Sequence, residues 1–383
     1  MAKRRASGEG NIRKRSDGRW EGRYVAGHDK NGKPIRKNVL GKTQAEVREK
    51  LRQAIAEAQM LDIGKADEYT VGAWVETWYE LYSKPNIRES TQRYYRRFID
   101  RHVIPMLGNI KLSKLTARQL QKMYNDVRAH GRIREAQKEK NPGLSASYVR
   151  GLHMMMHNCL NRAVKERLIL RNPAEDCIPP KVPKTEMKVL KVENIGAYLK
   201  AAEEYNVLPM FFLELSTGLR KGELTALLWE DLDIESKTIF VNKQAIGVKG
   251  GGVKISQPKT ETSVRRISIS QEALDYLITE HEKHPDSPYL FASPRTGEMY
   301  HPDSIANLHK KILKRAGLEY IRLHDLRHTF ATLALQNGVD IKTVSGMLGH
   351  YDAGFTLRTY THATNRMQEK AAATMGSLIS QAM

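Results

Sequence analysis

Cysteine is scarce in this sequence, with only Cys159 and Cys177 among 383 residues. Two cysteines cannot build a disulfide framework, and this pair matches no spacing typical of a metal site. We therefore expect both to be reduced and partly buried. The sequence also lacks any apolar run of the roughly 18 residues that a membrane-spanning helix needs. No signal peptide is recognisable at its start, so a cytoplasmic protein is expected.

Acidic residues are few relative to basic ones. There are 63 Lys and Arg against 43 Asp and Glu, which gives a formal charge of +20 and a pI near 9.7. Such an excess is typical of proteins that bind a polyanion, either nucleic acid or an anionic membrane surface. Since no membrane segment is recognisable, nucleic acid is the favoured partner.

The length of the chain exceeds that of one ordinary hydrophobic core. The sequence patterns predict a multidomain α+β protein of three parts, residues 1–64, 70–173 and 185–383. The first is a small three-stranded sheet followed by a helix, and the second is an all-α helical domain. The third is mixed and mainly helical, with a small antiparallel sheet.

Residues 1–64 carry strand signals separated by the turn sequences Asp17-Gly18 and Asn31-Gly32. A helix follows, with Thr43 and Glu46 in a capping-box pattern. A basic sheet of this kind can enter a DNA groove, which predicts an N-terminal DNA-binding domain. The candidate contacts are Arg13, Lys14, Arg15, Arg19, Arg23, Arg36 and Lys37. A solvated basic surface without a DNA role is the alternative.

Residues 70–173 show only helical patterns, which predicts a helical DNA-binding domain. Helix caps are predicted at Thr70, Ser90, Thr116 and either Ser145 or Ser147. Pro105 and Gly108 are expected to interrupt the helices, and the segment from Asn172 to Lys188 is predicted as a linker. Arg93 and Arg97 recur at helical spacing and can meet a phosphate backbone, although a plain solvated face is the alternative.

The third part contains a polar segment and an amphipathic end. Pro258 and its polar neighbours predict a hairpin tip, which places Lys259 at an exposed point. At the C-terminus, apolar residues at helical spacing predict a last helix containing Met367, Met375 and Ile379. Such a stripe covers either the helix's own core or a neighbouring subunit.

Residues 323–360 concentrate the groups that suit chemistry on a phosphodiester. His324 and Arg327 are three residues apart and share one helix face. His350 and Tyr360 follow. Arginine forks match phosphate oxygens, and fixed cations stabilise charge that develops at phosphorus. A tyrosine in this setting is a candidate nucleophile.

Four motifs in order resemble the tyrosine recombinase (phage integrase) family. They are Thr217-Gly218-Leu219-Arg220-Lys221-Gly222-Glu223, His324-x-x-Arg327, Leu348-Gly349-His350 and Tyr360. The basic, strand-rich start followed by a helical part is most similar to integrases of conjugative transposons and temperate phages. The resemblance implies site-specific DNA recombination, with strands cut and rejoined through a 3′-phosphotyrosyl intermediate and a Holliday junction. It further implies integration and excision of a mobile element.

The same resemblance implies a role for each catalytic residue. Tyr360 is the expected nucleophile, while Arg220 and Arg327 clamp the non-bridging phosphate oxygens. His324 and His350 hydrogen-bond the phosphate and assist proton transfer. Two further roles follow: Lys259 protonates the leaving 5′-oxygen, and Glu223 orients its neighbours. Lys254 is a nearby competitor for the lysine role, and His328 is expected to be structural.

The resemblance also implies the partners. They are double-stranded DNA at core sites and arm sites, a homotetramer assembled on DNA, and possible accessory proteins such as an excisionase or a host DNA-bending protein. No cofactor, metal or ATP is expected, because the phosphotyrosyl bond keeps the energy of the broken phosphodiester. One departure from many relatives is Phe355-Thr356, where they have adjacent hydroxyl residues.

Three other functions compete with recombination. His324 and His328 are four residues apart, as zinc ligands often are, which leaves a metal-dependent hydrolase open although no HExxH pattern is present. A non-catalytic DNA-binding regulator predicts salt-dependent binding without cleavage. A DNA-relaxing enzyme of the type IB topoisomerase kind shares the chemistry, but the basic N-terminal domain argues against it.

Overall fold

The structure is a computed structural model that describes residues 10–28, 32–61, 69–132, 141–183, 187–248, 252–258, 261–350, 352–360 and 372–381. The chain divides into two compact units, residues 1–184 and 185–383. The segment between the first two predicted parts, residues 65–69, lies almost wholly outside the described residues. The three predicted domain boundaries stay a prediction.

The first unit opens with a three-stranded antiparallel sheet and one helix. Strands β1 (Asn11–Lys14), β2 (Trp20–His28) and β3 (Pro34–Gly41) pair in that order. Helix α1 (Gln44–Met60) begins after Thr43, whose side chain accepts a hydrogen bond from the Glu46 amide, as predicted. The buried Val47 and Leu51 of α1 lie against the face of β2 that carries Gly22.

The rest of the first unit is helical, as expected. Its helices are α2 (Val71–Trp78), α3 (Glu89–Phe98), α4 (Ile104–Leu107), α5 (Ala117–His130) and α6 (Ala146–Lys165). Their buried faces form one core, in which the indole Nε1 of Trp74 donates to the Cys159 carbonyl at 3.1 Å. Both cysteines are free thiols and buried.

Local signals placed most of these helices correctly. Thr70, Thr116 and Ser145 each accept a backbone hydrogen bond at a helix start. The prediction for Ser90 was wrong, because α3 begins at Glu89 and Arg88 occupies the cap position, where its side chain makes no capping hydrogen bond to the helix.

Pro105 does not break the helix as predicted, whereas Gly108 does end it. A π-helical turn at Ile99–Val103 joins α3 to α4, so the helical path continues to Leu107. Pro105 is tolerated because it lies in the first turn of α4. Gly108 ends the path by donating its N–H to the Ile104 carbonyl.

The predicted linker begins too early. Asn172 is buried, and its side chain donates to the His157 carbonyl at 3.1 Å. Ala174 and Cys177 are also buried in the helical core. The segment therefore belongs to the helical domain through Cys177. Its Pro and Lys content does not reveal these packing contacts, so the sequence predicted a linker that begins too early.

The second unit wraps helices around small antiparallel sheets. Its elements are α7 (Val192–Glu204), α8 (Leu208–Thr217), α9 (Lys221–Ala226), β4 (Leu232–Asp233), β5 (Thr238–Val241), β6 (Gln244–Gly247), β7 (Val253–Ser256), β8 (Arg265–Ser268), α10 (Gln271–Glu282), α11 (Pro302–Arg315), α12 (Leu323–Gln336), α13 (Ile341–Leu348), α14 (Ala353–Thr359) and α15 at residues 372–381. Strands β4, β5 and β8 form one sheet, and β6 pairs with β7. The expected fold class, multidomain α+β, is confirmed.

The buried His309 fixes the chain just before α12. Its Nε2 lies 2.9 Å from the Ile321 carbonyl, which only accepts, so Nε2 carries the proton and donates. Its Nδ1 then accepts from the hydroxyl of Tyr198 at 2.8 Å. The imidazole thereby joins α11 and α7 to the start of α12, the helix that carries the predicted catalytic motif.

Candidate active site

The first predicted arginine is positioned by a helix stop. Gly218 ends α8 with a φ of 63°, and a side chain there would lie 2.5 Å from Phe330. Glycine suits both the left-handed backbone and this close approach. The chain then turns, and Arg220 precedes α9. Its guanidinium donates to Glu223 at 2.7 Å and to the Gly349 carbonyl at 3.2 Å.

The second predicted arginine, Arg327, is buried on α12 with only 2% of its surface exposed. Its Nη1 donates to the Gly218 carbonyl at 2.7 Å, and its Nη2 donates to the Leu348 carbonyl at 2.6 Å. Burial and the charge of Arg220 lower the pKa of Arg327 to about 9, so it remains cationic at neutral pH. Two fixed cations therefore meet at the turn that ends α13.

His350 stands on that same turn. Gly349, with a φ of 63°, ends α13 and directs the chain so that the His350 Nδ1 lies 2.8 Å from the Thr356 hydroxyl. Burial, with the charges of Arg327 and Arg220, lowers the pKa of His350 to about 4. The imidazole is therefore neutral at pH 7.

Phe355 and Thr356 make different contacts with His350. Thr356 is completely buried and supplies the hydroxyl that His350 binds. Phe355 is half exposed, and its ring meets the imidazole of His350 edge-on at 5.0 Å. A single hydroxyl in α14 is thus enough to orient this histidine.

The predicted nucleophile, Tyr360, lies just after α14 and is only 3% exposed. Its hydroxyl oxygen lies 2.8 Å from Nδ1 of His328. Burial raises the pKa of Tyr360 to about 12, with the charge of Arg327 acting in the opposite direction. His328, which was expected to be structural, is therefore the histidine that contacts the phenol, and the expectation about its role stays a prediction.

His324, one turn before His328, is exposed on α12. Its ring meets that of His328 edge-on, with the centroids 4.8 Å apart. The structure thus gathers Arg220, His324, Arg327, His350 and Tyr360 around α12 and the α13 turn. Their catalytic roles stay a prediction.

Glu223 joins this cluster to a residue that the sequence patterns did not reveal. Its carboxylate accepts from Arg220 and also from Arg265, whose Nη2 lies 2.9 Å away. Arg265 is buried on β8 and donates through Nε to the Met347 carbonyl at 2.6 Å. Burial would raise the pKa of Glu223, but the hydrogen bond and charge of Arg265, with Arg220, lower it overall. Arg265 therefore supports both Glu223 and the end of α13.

Lys259 lies outside the described residues, as does Thr260. The predicted hairpin tip at Pro258 is wrong, because Pro258 follows β7 and lies at the open end of the β6–β7 hairpin. The strand register runs from the pair Gln244 and Ser256, near Pro258, to the pair Gly247 and Val253 at the other end. Lys254, the competing lysine, is on β7 and exposed.

No metal-binding constellation supports the hydrolase alternative. Within the described part of the chain, no group of three or more His, Cys, Asp and Glu side chains is arranged to hold a metal ion. His328, one of the two histidines on which that alternative rested, instead bonds Tyr360.

The predicted DNA contacts on the N-terminal sheet fall on different faces. By the strand register, Arg13, Arg23 and Arg36 share the face opposite α1, because Arg13 pairs with Glu21 and Arg36 pairs with Val25. Lys14 and Lys37 lie with Gly22 on the face that turns toward α1. One face of the sheet therefore cannot present all of these basic residues, and their contact with DNA stays a prediction.

A buried carboxylate organises the basic face. Glu21 is 2% exposed, and its oxygens lie 2.7 Å from Arg13 and 3.2 Å from Arg23. Hydrogen bonds from Asn38 and Arg13 hold the pKa of Glu21 at about 2. The remaining candidates, Arg15 and Arg19, are exposed beside the β1–β2 turn, where both approach Asp17.

The arginines at positions 93, 96 and 97 of α3 differ in their surroundings. Arg96 is held by Glu76 and Asp100. Arg93 and Arg97, the two predicted DNA contacts, are exposed on α3. Their contact with DNA stays a prediction.

Comparison with known proteins identifies the family. Residues 187–367 match the model of the phage integrase family, and residues 70–127 match its N-terminal SAM-like domain. The chain is 28% identical to a "Tyrosine recombinase XerC-like" protein of Caldanaerobacter subterraneus, over 92% of this chain and 94% of that protein. It is 26% identical to the ICEBs1 integrase of Bacillus subtilis, over 96% of this chain and 100% of that protein.

Solved structures share the fold. The Tn1549 transposon integrase, in complex with a circular intermediate DNA, superposes with a TM-score of 0.66 at 19% identity, covering 79% of this chain and 99% of that one. A lambda integrase tetramer bound to a Holliday junction gives a TM-score of 0.56 at 19% identity, covering 90% of this chain and 96% of that one. Within the described residues, no helix is long and apolar enough to cross a membrane. The two family models confirm the resemblance: the chain belongs to the phage integrase family of tyrosine recombinases.

Proposed function

We propose that this protein cuts and rejoins double-stranded DNA at specific sites through a 3′-phosphotyrosyl bond at Tyr360, and that it thereby integrates and excises a mobile element. One observation carries the proposal. Both arginines donate to the turn at residues 348–350, Arg327 to Leu348 and Arg220 to Gly349, and that turn presents His350. The phosphate would lie where these three side chains converge.

The chemistry follows from these charges. The phenol attacks phosphorus, the 5′-oxygen leaves, and negative charge grows on the non-bridging oxygens, where Arg220 and Arg327 stabilise it. His350 is neutral at pH 7. When its Nδ1 accepts from the Thr356 hydroxyl, its other ring nitrogen carries the proton and donates to a phosphate oxygen. Lys259 is proposed to protonate the 5′-oxygen. The bond energy is kept in the phosphotyrosyl ester, so the reaction needs neither ATP nor a metal.

We propose a cytoplasmic homotetramer as the working assembly on two DNA duplexes. In α15, Met375, Leu378 and Ile379 each expose more than half of their surface. A short helix that exposes such an apolar stripe gains stability by docking on a neighbour. Met367, which was predicted on the same stripe, lies outside the described residues. An excisionase or a host DNA-bending protein would set the direction of the reaction.

Covalent trapping tests the proposed function. A duplex nicked just beyond the cleavage site loses its short 5′-hydroxyl fragment after attack, so the protein stays attached. Wild-type protein should form this adduct in excess EDTA, and Tyr360→Phe should form none while binding the DNA equally well. An adduct that persists in Tyr360→Phe would refute the assignment. Cleavage abolished by EDTA would favour a metal-dependent hydrolase, and binding without any adduct would favour a regulator.

The basic face of the N-terminal sheet is proposed to bind arm-site DNA. Replacing Arg13, Arg23 and Arg36 together by glutamine should lower the slope of log affinity against log salt by up to about 3, since each phosphate contact contributes about 0.9. The matched control replaces Lys14 and Lys37, which lie on the side toward α1, and should leave the slope nearly unchanged. Fluorescence anisotropy with a labelled duplex measures both, and equal losses in the two variants would contradict the assignment of this face.

A further inference from the structure

His328 has no role in the proposed phosphoryl transfer, yet it contacts the Tyr360 hydroxyl oxygen, the atom that would attack phosphorus. Its Nδ1 lies 2.8 Å from the Tyr360 hydroxyl oxygen, and the two ring centroids are 5.7 Å apart. The two residues come from different elements, α12 and the segment after α14. The contact is therefore set by the tertiary fold of the second unit.

Tyr360 needs a proton acceptor more than an exposed tyrosine does. Burial raises its pKa to about 12. At pH 7 only about one molecule in 100,000 would then carry a phenolate, by the usual relation between pKa and pH. A neutral phenol is a weak nucleophile, so a base that takes the proton during attack would give a large gain in rate.

The other nearby groups have different contacts, and His324 meets the ring of His328. The Nδ1 of His350 is held by Thr356, and Glu223 accepts hydrogen bonds from Arg220 and Arg265. Asp325 accepts from the guanidinium of Arg322 at 2.8 Å. Among these described groups, only His328 has a ring nitrogen at hydrogen-bond distance from the phenol.

His328 is also in the right protonation state to accept. It is half-buried on α12, where His324, Asp325, Arg322 and Arg327 are its titratable and charged neighbours. His350 and Tyr360 face it from other elements. Burial lowers its pKa, while Asp325 acts in the opposite direction and the two arginines add to the lowering. The ring is therefore neutral at pH 7, with a lone pair available at one nitrogen.

We propose that His328 is a catalytic base that takes the phenolic proton of Tyr360 as the tyrosine attacks the DNA phosphate; this rests on the proposed role of Tyr360. The proton moves from the phenol oxygen to Nδ1 while the new oxygen–phosphorus bond forms. The bond from phosphorus to the 5′-oxygen breaks, and its electron pair leaves on that oxygen, which a separate acid protonates. In rejoining, His328 returns the proton to the tyrosine.

The opposing possibility is that the hydrogen bond merely holds Tyr360 away from DNA. The two possibilities predict opposite results for His328→Asn, whose side-chain amide can still hydrogen-bond the phenol but cannot accept its proton. Loss of a base slows attack. If His328 is only a restraint, an amide that keeps the hydrogen bond leaves the rate unchanged, and one that weakens it raises the rate.

The test measures the single-turnover rate of covalent adduct formation on nicked DNA at saturating protein. His328→Asn should slow this rate about 100-fold or more, the usual size of a general-base contribution, with unchanged DNA binding and melting temperature. The decline in the wild-type rate at acid pH that comes from protonating His328 should disappear in the variant. His301→Asn is the matched control: His301 is a half-buried residue that caps α11, where asparagine is a good cap, so its rate should equal wild type.

A second DNA substrate distinguishes the loss of a catalytic base from the loss of a catalytic acid. When sulfur replaces the bridging 5′-oxygen, the leaving group no longer needs an acid, so a defect in an acid is rescued and a defect in a base is not. The His328→Asn defect should therefore persist on this substrate. A rate within threefold of wild type, a faster rate, or full rescue by sulfur would overturn the proposal. Failure of wild-type protein to form a Tyr360 adduct would instead refute the proposed function.

Discussion

Replacing Arg327 by lysine should slow covalent adduct formation by about 1,000-fold, the upper range for removing one preorganised donor to a developing anion. Arg327 is 2% exposed and spans two carbonyls, those of Gly218 and Leu348. An ammonium keeps the charge but lacks the planar fork that holds both carbonyls while facing a phosphate. The α8 stop and the end of α13 would therefore lose their common anchor.

The measurement is the single-turnover adduct rate on nicked DNA, with thermal melting measured in parallel. Leaving a buried carbonyl unpaired costs about 1–3 kcal/mol, so a lower melting temperature is also expected. Arg322→Lys is the matched control, because Arg322 immediately precedes α12 and pairs with Asp325 while remaining mostly exposed. It should stay within a few-fold of wild type. Equal rates for Arg327→Lys and the control would contradict the role given to Arg327.

Replacing Glu223 by glutamine should destabilise the second unit by about 3–5 kcal/mol, as expected when one partner of a buried ion pair is removed. Its carboxylate is 2% exposed and faces both Arg220 and Arg265. Without its charge, these two cations would stand unbalanced beside Arg327. Arg220 would also lose the partner that sets its orientation, so adduct formation should fall together with stability.

Denaturant unfolding and the adduct rate measure the two effects of Glu223→Gln. Glu272→Gln is the matched control, since Glu272 is an exposed carboxylate in the first turn of α10. That control should change the free energy of unfolding by less than about 1 kcal/mol. A Glu223→Gln protein as stable as the control, with a normal rate, would show that the three arginines do not need this carboxylate.

Short-range signals predicted much of this fold because their causes are local. Thr70 and Thr116 cap helices through hydrogen bonds to amides three residues away, and the stop at Gly218 follows from its own backbone geometry. Ser90 failed because the same local pattern allows a start one or two residues earlier, which packing then decides. The linker prediction failed for a similar reason, since the burial of Asn172 depends on His157 in another helix.

The site was predictable where a motif names a residue and less so where only tertiary contacts define it. Arg220, Arg327, His350 and Tyr360 stand in ordered motifs, and the resemblance picked them out. Arg265 has no such signal, because its partners are Glu223 and Met347, 42 and 82 residues away in sequence.

His328 illustrates the same limit. Its partner Tyr360 is 32 residues away, and nothing in the spacing of α12 distinguishes a histidine that bonds a tyrosine from one that packs.

On the N-terminal sheet, only the strand register shows that Arg13, Arg23 and Arg36 lie on one face and that Lys14 and Lys37 lie on the other. Their charge alone does not.

Mapping the amino acid that carries DNA after trapping tests the central claim most directly. The adduct formed on nicked DNA would be digested with trypsin and nuclease, and the modified peptide identified by mass spectrometry. Cleavage after Arg358 and Arg366 yields the peptide that begins at Thr359 and contains Tyr360 as its only tyrosine. We predict a nucleotide remnant on that tyrosine. A remnant on any other residue would contradict the assignment of Tyr360 as the nucleophile.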